Sequence, residues 1–142
     1  MTRVLVVDDH PFFRRCLVDV INASGDIDVV GECADGSEVL PAVRELRPEI
    51  VLMDVRMPHL SGLDAAAALQ REQPQVRVVL LTSDTAESSR ATARANGVTD
   101  YLIKGADPDL ILDALRHAGR TTTTTTAARS SPALDDHAVV IS

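Results

Sequence analysis

The chain has 142 residues, of which 45% are apolar and 25% charged, with 21 acidic side chains against 14 basic ones and a net charge of −7. That length reads as one domain with its own core, and no apolar run approaches the ~18 residues of a membrane span. Two aspartates and two arginines fall in the last 23 residues, so 19 acids and 12 bases remain before residue 120. A face that grips phosphates needs the opposite balance, so direct nucleic acid binding by this chain is not expected.

The opening, MTRVLVVDD, turns acidic within eight residues, unlike a signal or transit peptide, and predicts a cytoplasmic protein with no membrane attachment. The first strand is expected over Arg3–Val7 (RVLVV). Phe13, Cys16, Leu17, Val20 and Ile21 then recur at helical spacing, with Pro11 suited to a first turn. A second strand is expected at Ile27–Gly31, and a helix after Gly36 that either begins near Leu40 or is kinked at Pro41. Ile50–Met53 (IVLM) reads as a third strand and the alanine-rich Leu63–Glu72 as a helix. Val76–Leu81 (VRVVLL) and Asp100–Ile103 (DYLI) read as the fourth and fifth strands. Between them, Ala86–Asn96 has only alanines as apolar residues, which suits a weakly anchored fourth helix. A fifth helix takes Asp107 as cap, Pro108 as first residue and Gly119 as its end. Cys16 and Cys33 lack metal-ligand spacing and are expected to be buried thiols.

The strands are apolar almost throughout, as in a parallel sheet buried on both faces. Five β–α pairs predict an open, doubly wound α/β sheet with helices on both sides. Residues 1–119 would form this domain. Residues 120–142, with six consecutive threonines, lack apolar periodicity and are expected to be a disordered tail.

Five residues with chemistry fall at strand ends. Asp8 and Asp9 follow the first strand, Asp54 the third, Thr82 the fourth and Lys104 the fifth. Ligands of such sheets bind outside the carboxyl ends of the strands, where strand order reverses. If the order is the flavodoxin-like 2-1-3-4-5, the first and third strands are neighbours and three carboxylates converge. Three close carboxylates need a compensating charge, and Mg²⁺ works with few carboxylates plus phosphate and water. Lys104, the sole lysine among the basic residues, offers a compact charge for a phosphate in a crowded site. Each residue alone is an ordinary strand-end or helix-cap feature; five at one edge is not.

With VLVVDDHP, IVLMDVRMPHLSGLDA, VVLLTSD and DYLIKGADPDLILDAL, the sequence resembles the receiver domain of bacterial two-component response regulators over residues 3–118. The DDHP start and the KGADPDL segment resemble its NarL/LuxR-type subfamily most. The resemblance implies that Asp54 accepts a phosphoryl group from a histidine kinase. It implies a Mg²⁺ site made by Asp8, Asp9, Asp54 and the backbone carbonyl of Arg56. Thr82 and Lys104 would bind the phosphoryl oxygens, and Tyr101 would change rotamer with Thr82 in the switch. The signal would emerge on the face of the fourth helix, fifth strand and fifth helix. A homodimer would use that face or the face of the first and fifth helices. Many receivers have a cis Lys-Pro bond where this chain has Lys104-Gly105, so that bond is absent. The subfamily normally continues into a helix-turn-helix domain. The 23 residues after Gly119 show no helical pattern, so the chain either has no such domain or is a fragment.

Other readings fit less well. A Mg²⁺-dependent aspartyl phosphatase wants a second acid two residues after its nucleophile, where Arg56 stands. A flavin binder wants a hydroxyl- and glycine-rich loop after the first strand, where DDHPFF stands. A docking module that never sees phosphate has no use for the five-residue set. Arg56 and Asp84, each two residues past a site residue, are expected to overhang the pocket as separate solvated charges or as a pair.

Overall fold

The computed structural model describes residues 1–82, 98, 100–103 and 107–123. Five strands form one parallel sheet: β1 (Thr2–Val7), β2 (Ile27–Cys33), β3 (Ile50–Asp54), β4 (Arg77–Thr82) and β5 (Asp100–Ile103). Their order is β2-β1-β3-β4-β5, which makes β1 and β3 neighbours. Because side chains alternate along a strand, each strand feeds two cores. Leu5, Val7, Val51, Met53, Val78 and Leu80 point to one face. Val4, Val6, Ile50, Leu52, Val79, Leu81 and Leu102 point to the other. Strands apolar on both faces must be covered on both, as the composition of the runs predicts.

Helices α2 (Val39–Leu46) and α3 (Gly62–Glu72) close the first face through Val39, Val43, Ala65, Ala66 and Leu69. Helix α1 (Pro11–Ala23) and the C-terminal helix (Pro108–Thr123) close the second through Leu17, Val18, Ile21, Ile111, Ala114 and Leu115. Pro41 is the third residue of α2, in a first turn whose N–H groups have no intrahelical partner, so the helix starts ahead of it without a kink. A short 3₁₀ turn, Gly36–Glu38, leads into α2. Asp107 caps the C-terminal helix as expected, its Oδ1 accepting from the Asp109 N–H at 2.8 Å.

Two expectations are corrected. Cys16 is exposed, because the buried stripe of α1 runs through Leu17, Val18 and Ile21 and leaves Cys16 on the outer flank; only Cys33 is buried. Burial, with the Glu38 carboxylate nearby, pushes the Cys33 thiol up to about 11. Gly119 does not end the last helix, which continues to Thr123. Gly119 is there for close approach: a Cβ at this position would stand 3.0 Å from Thr2 Oγ1 and 3.2 Å from Thr2 Cγ2, at the start of β1. The expected fourth helix over 86–96 lies outside the described residues; of the tail expected over 120–142, residues 120–123 continue the last helix and 124–142 lie outside the described residues. No helix among the described residues is long and apolar enough to cross a membrane.

Candidate functional site

In the register of β1 and β3, Val7 stands opposite Met53, so Asp8 and Asp54 emerge side by side at the carboxyl edge. Asp54 closes β3 and stands opposite Leu81, so Thr82 lies one residue beyond it on the adjacent strand. All three side chains are buried: Asp8 and Thr82 are 0% exposed and Asp54 3%.

Local backbone geometry holds each in place. The Asp8 N–H donates to the Cys33 carbonyl at 3.0 Å, carrying the β1–β2 ladder one residue past the strand. Asp8 Oδ1 accepts from the His10 N–H at 2.8 Å, a turn that delivers the chain to Pro11 and α1. Beyond β3, the Val55 N–H donates to the Leu81 carbonyl at 3.0 Å, and the Arg56 N–H reaches back to Asp54 Oδ1 at 3.4 Å. Helix α3 begins directly against this turn. The Gly62 N–H donates to the Val55 carbonyl at 2.7 Å, and a Cβ on Gly62 would overlap the Asp54 carbonyl oxygen. Only glycine allows that approach.

One donor atom each from Asp8, Asp9, His10 and Asp54 lies within 4.8 Å of the others. His10 Nδ1 is 3.1 Å from Asp9 Oδ1 and 3.4 Å from Asp8 Oδ1. Carboxylates this close, two of them out of water, favour a hard divalent cation that takes oxygen ligands. The carboxylate oxygens of Asp8, Asp9 and Asp54 therefore fit Mg²⁺.

Behind the cluster, Asp35 ties two loops together. Its carboxylate is 5% exposed and accepts from the Ser37 N–H and the His59 N–H, both at 2.9 Å. Burial raises its pKa, but those backbone donors outweigh it and hold the carboxyl down to about 2. The loop between β3 and α3, which carries Arg56, is anchored to the end of β2 by this residue.

Of the residues singled out in the sequence, Asp8, Asp9 and Asp54 come together, and Thr82 ends the strand beside Asp54. Arg56 lies in the loop after β3. Tyr101 is in β5, in register with Leu80. Lys104 and Asp84 lie outside the described residues. Four further residues shape the site without having been singled out: His10, Arg14, Asp35 and Gly62. His10 could have been suspected from its place beside the aspartate pair. Asp35 reads locally as a turn cap to Ser37, but nothing local marks its bond to His59 or the partners of Arg14.

A sheet of this order with acids at the ends of β1 and β3 suits many phosphate-handling proteins, and comparison with known families narrows the choice. Residues 4–116 match the model of the response regulator receiver domain. The chain belongs to the response regulator receiver family. The receiver is 39% identical over 119 residues to the uncharacterized transcriptional regulatory protein YxjL of Bacillus subtilis, covering 83% of this chain and 54% of that one. It is 40% identical over 104 residues to a protein-glutamate methylesterase/protein-glutamine glutaminase of Pyrococcus abyssi, covering 72% of this chain and 28% of that one. Among solved structures, the signal receiver domain of the putative response regulator NarL from Mycobacterium tuberculosis superposes with a TM-score of 0.81 at 32% identity, over 84% of this chain and 96% of that one. The chain thus spans about half the length of the Bacillus relative and less of the archaeal one. Its kinship includes regulators of the NarL/LuxR type.

Proposed function

We propose that Asp54 is the phosphoacceptor of this receiver, taking its phosphoryl group from the phosphohistidine of a histidine kinase in the cytoplasm. The observation that carries the reading is the pair of buried carboxylates, Asp8 and Asp54, packed with Asp9 within one cation's reach at the end of β1 and β3. An Asp54 carboxylate oxygen attacks phosphorus, the P–N bond breaks and a P–O bond forms. The imidazole leaves with its electron pair, and the product is an acyl phosphate. Asp8, Asp9, Asp54 and the Arg56 carbonyl would hold Mg²⁺, which supplies positive charge against the phosphoryl oxygens when bound.

The residues of the chain supply position and hydrogen bonds. The Thr82 hydroxyl, at the end of the strand beside Asp54, and the Lys104 ammonium are the groups assigned to the phosphoryl oxygens. Thr82 and Tyr101 are assigned to the switch that alters the face of the fourth helix, fifth strand and C-terminal helix. The chain acts as a phosphoacceptor with self-catalysed transfer and hydrolysis, not as an enzyme on a separate substrate. Its acidic surface and NarL/LuxR-type kinship support a role in regulating transcription through a DNA-binding region other than residues 1–119. A receiver surface that pairs with a second copy is part of the same reading.

The test is intact-mass measurement after incubation with acetyl phosphate. The wild type gains one phosphoryl group that is lost in mild base, and gains it only with Mg²⁺ present. Asp54→Asn gains none at a comparable rate. Equal labile phosphorylation of Asp54→Asn would refute the assignment.

A further inference from the structure

The backbone of Asp8 is held on both sides, directly by β2 through its N–H and by a side chain of α1 through its carbonyl. On one side, the Asp8 N–H donates to the Cys33 carbonyl at 3.0 Å. On the other, the Asp8 carbonyl accepts from Arg14 Nη1 at 2.6 Å. That carbonyl belongs to the peptide linking Asp8 to Asp9, so its direction sets where the backbone carries Asp9 relative to Asp8. Arg14 is itself fixed: its Nε donates to Glu32 Oε1 at 3.0 Å, and its side chain is only 19% exposed. Glu32 precedes Cys33 on β2, so adjacent residues of one strand accept from the Asp8 N–H and anchor Arg14.

We infer that Arg14, held by Glu32, is a positioning residue for the divalent cation: it sets the plane of the Asp8–Asp9 peptide so that the two carboxylates stand ready before the ion arrives. The inference rests on the reading of the cluster as a Mg²⁺ site. Two effects of Arg14 oppose each other. Its charge repels a dication, while its hydrogen bond preorganises the ligands. Glu32 faces the guanidinium at 3.0 Å and offsets its charge locally, so the repulsion is weakened. The bond to the Asp8 carbonyl is charge-assisted and short, and a planar fork bonded on two sides cannot swing. Without it, two neighbouring like charges would turn apart, and the ion would have to gather them. Preorganisation therefore dominates.

The test is a Mg²⁺ titration of the ¹⁵N-labelled full chain, following the amides of Asp9 and Asp54 in wild type, Arg14→Ala, Arg14→Lys and Glu32→Gln. Such shifts report on folded molecules alone, so a loss of stability does not imitate a loss of affinity. Arg14→Ala should weaken Mg²⁺ about tenfold, in the range typical of groups that orient metal ligands. Arg14→Lys should fail to restore it, because one ammonium cannot span the carbonyl and the carboxylate as a fork does. Glu32→Gln should fall between wild type and Arg14→Ala. Arg14→Ala binding as tightly as wild type, or more tightly, would overturn the inference. Should Arg14→Ala not fold, Glu32→Gln decides, and unchanged affinity in that variant overturns it equally. A wild type whose Asp9 and Asp54 amides ignore Mg²⁺ would overturn the cation reading itself, a separate and recognisable result.

Discussion

Asp35 is nearly fully buried yet stays ionised far into acid, because two backbone N–H groups point at its oxygens. Its folded pKa of about 2 lies below the ordinary value of 3.8. Between those values the unfolded chain binds a proton that the folded chain refuses, so stability falls as pH falls through this window. The contribution is whole above pH ~4 and disappears toward pH ~2. Thermal unfolding of wild type and Asp35→Asn should therefore differ most near neutrality, with the gap narrowing steadily below pH ~4. A gap that is constant with pH would show that the carboxylate charge is not what ties the two loops. The tie that Asp35 makes between two loops is invisible in the sequence because its second donor, the His59 N–H, is brought to it only by the fold. Asp8, Asp9 and Asp54 were visible because each directly follows or ends an apolar run.

At the level of elements, the placement of Asp54 depends on how closely α3 can start behind it. The Gly62 amide reaches the Val55 carbonyl at 2.7 Å, and no side chain fits between the helix and the Asp54 backbone. Replacing Gly62 by Val must push α3 away from the sheet or rotate the Asp54 carbonyl. Overpacking of this kind costs about 1–3 kcal/mol, read as a lower denaturant midpoint, and phosphorylation from acetyl phosphate should slow in the molecules that remain folded. A variant with full stability and an unchanged rate would show that the turn has slack. The first and last helices teach a related lesson. Helical spacing put Cys16 in the α1 stripe, but the buried edge is Val18, since either residue continues a stripe containing Leu17 and Ile21. A glycine near the end of an apolar stripe reads as a stop, yet Gly119 is a contact point against Thr2. In both cases the deciding neighbour is on another element.

For the whole molecule, charge and topology act together. The excess of 19 acids over 12 bases before residue 120 makes the field around this domain repulsive to a phosphate backbone. The chain alone should show no sequence-dependent retention of duplex DNA at physiological salt, measured by gel shift or fluorescence anisotropy. Tight, sequence-selective binding would require a basic surface formed by assembly, and would revise the reading of the output. The same topology explains why the site is at one edge. Every strand is parallel, so every carboxyl end is at the same rim, where Asp8 follows β1 and Asp54 and Thr82 end β3 and β4.

By itself the sequence determined the five strands, their burial on both faces, the helices that follow the first, second, third and fifth strands, and which acids stand at strand ends. These follow from period and from residue type, and both are local properties of the chain. Tertiary structure alone decided that β1 and β3 are adjacent, since no local pattern encodes which parallel strands pair. That adjacency turns Asp8, Asp9 and Asp54, separated by more than forty residues of chain, into one cluster within 4.8 Å. The packing of β2 and α1 beside β1 likewise brings Arg14 and Glu32 to the Asp8 carbonyl, and Asp35 to the His59 N–H. A carboxylate's identity is written in the chain, but its neighbours are set by packing, and the neighbours are what make these acids a site.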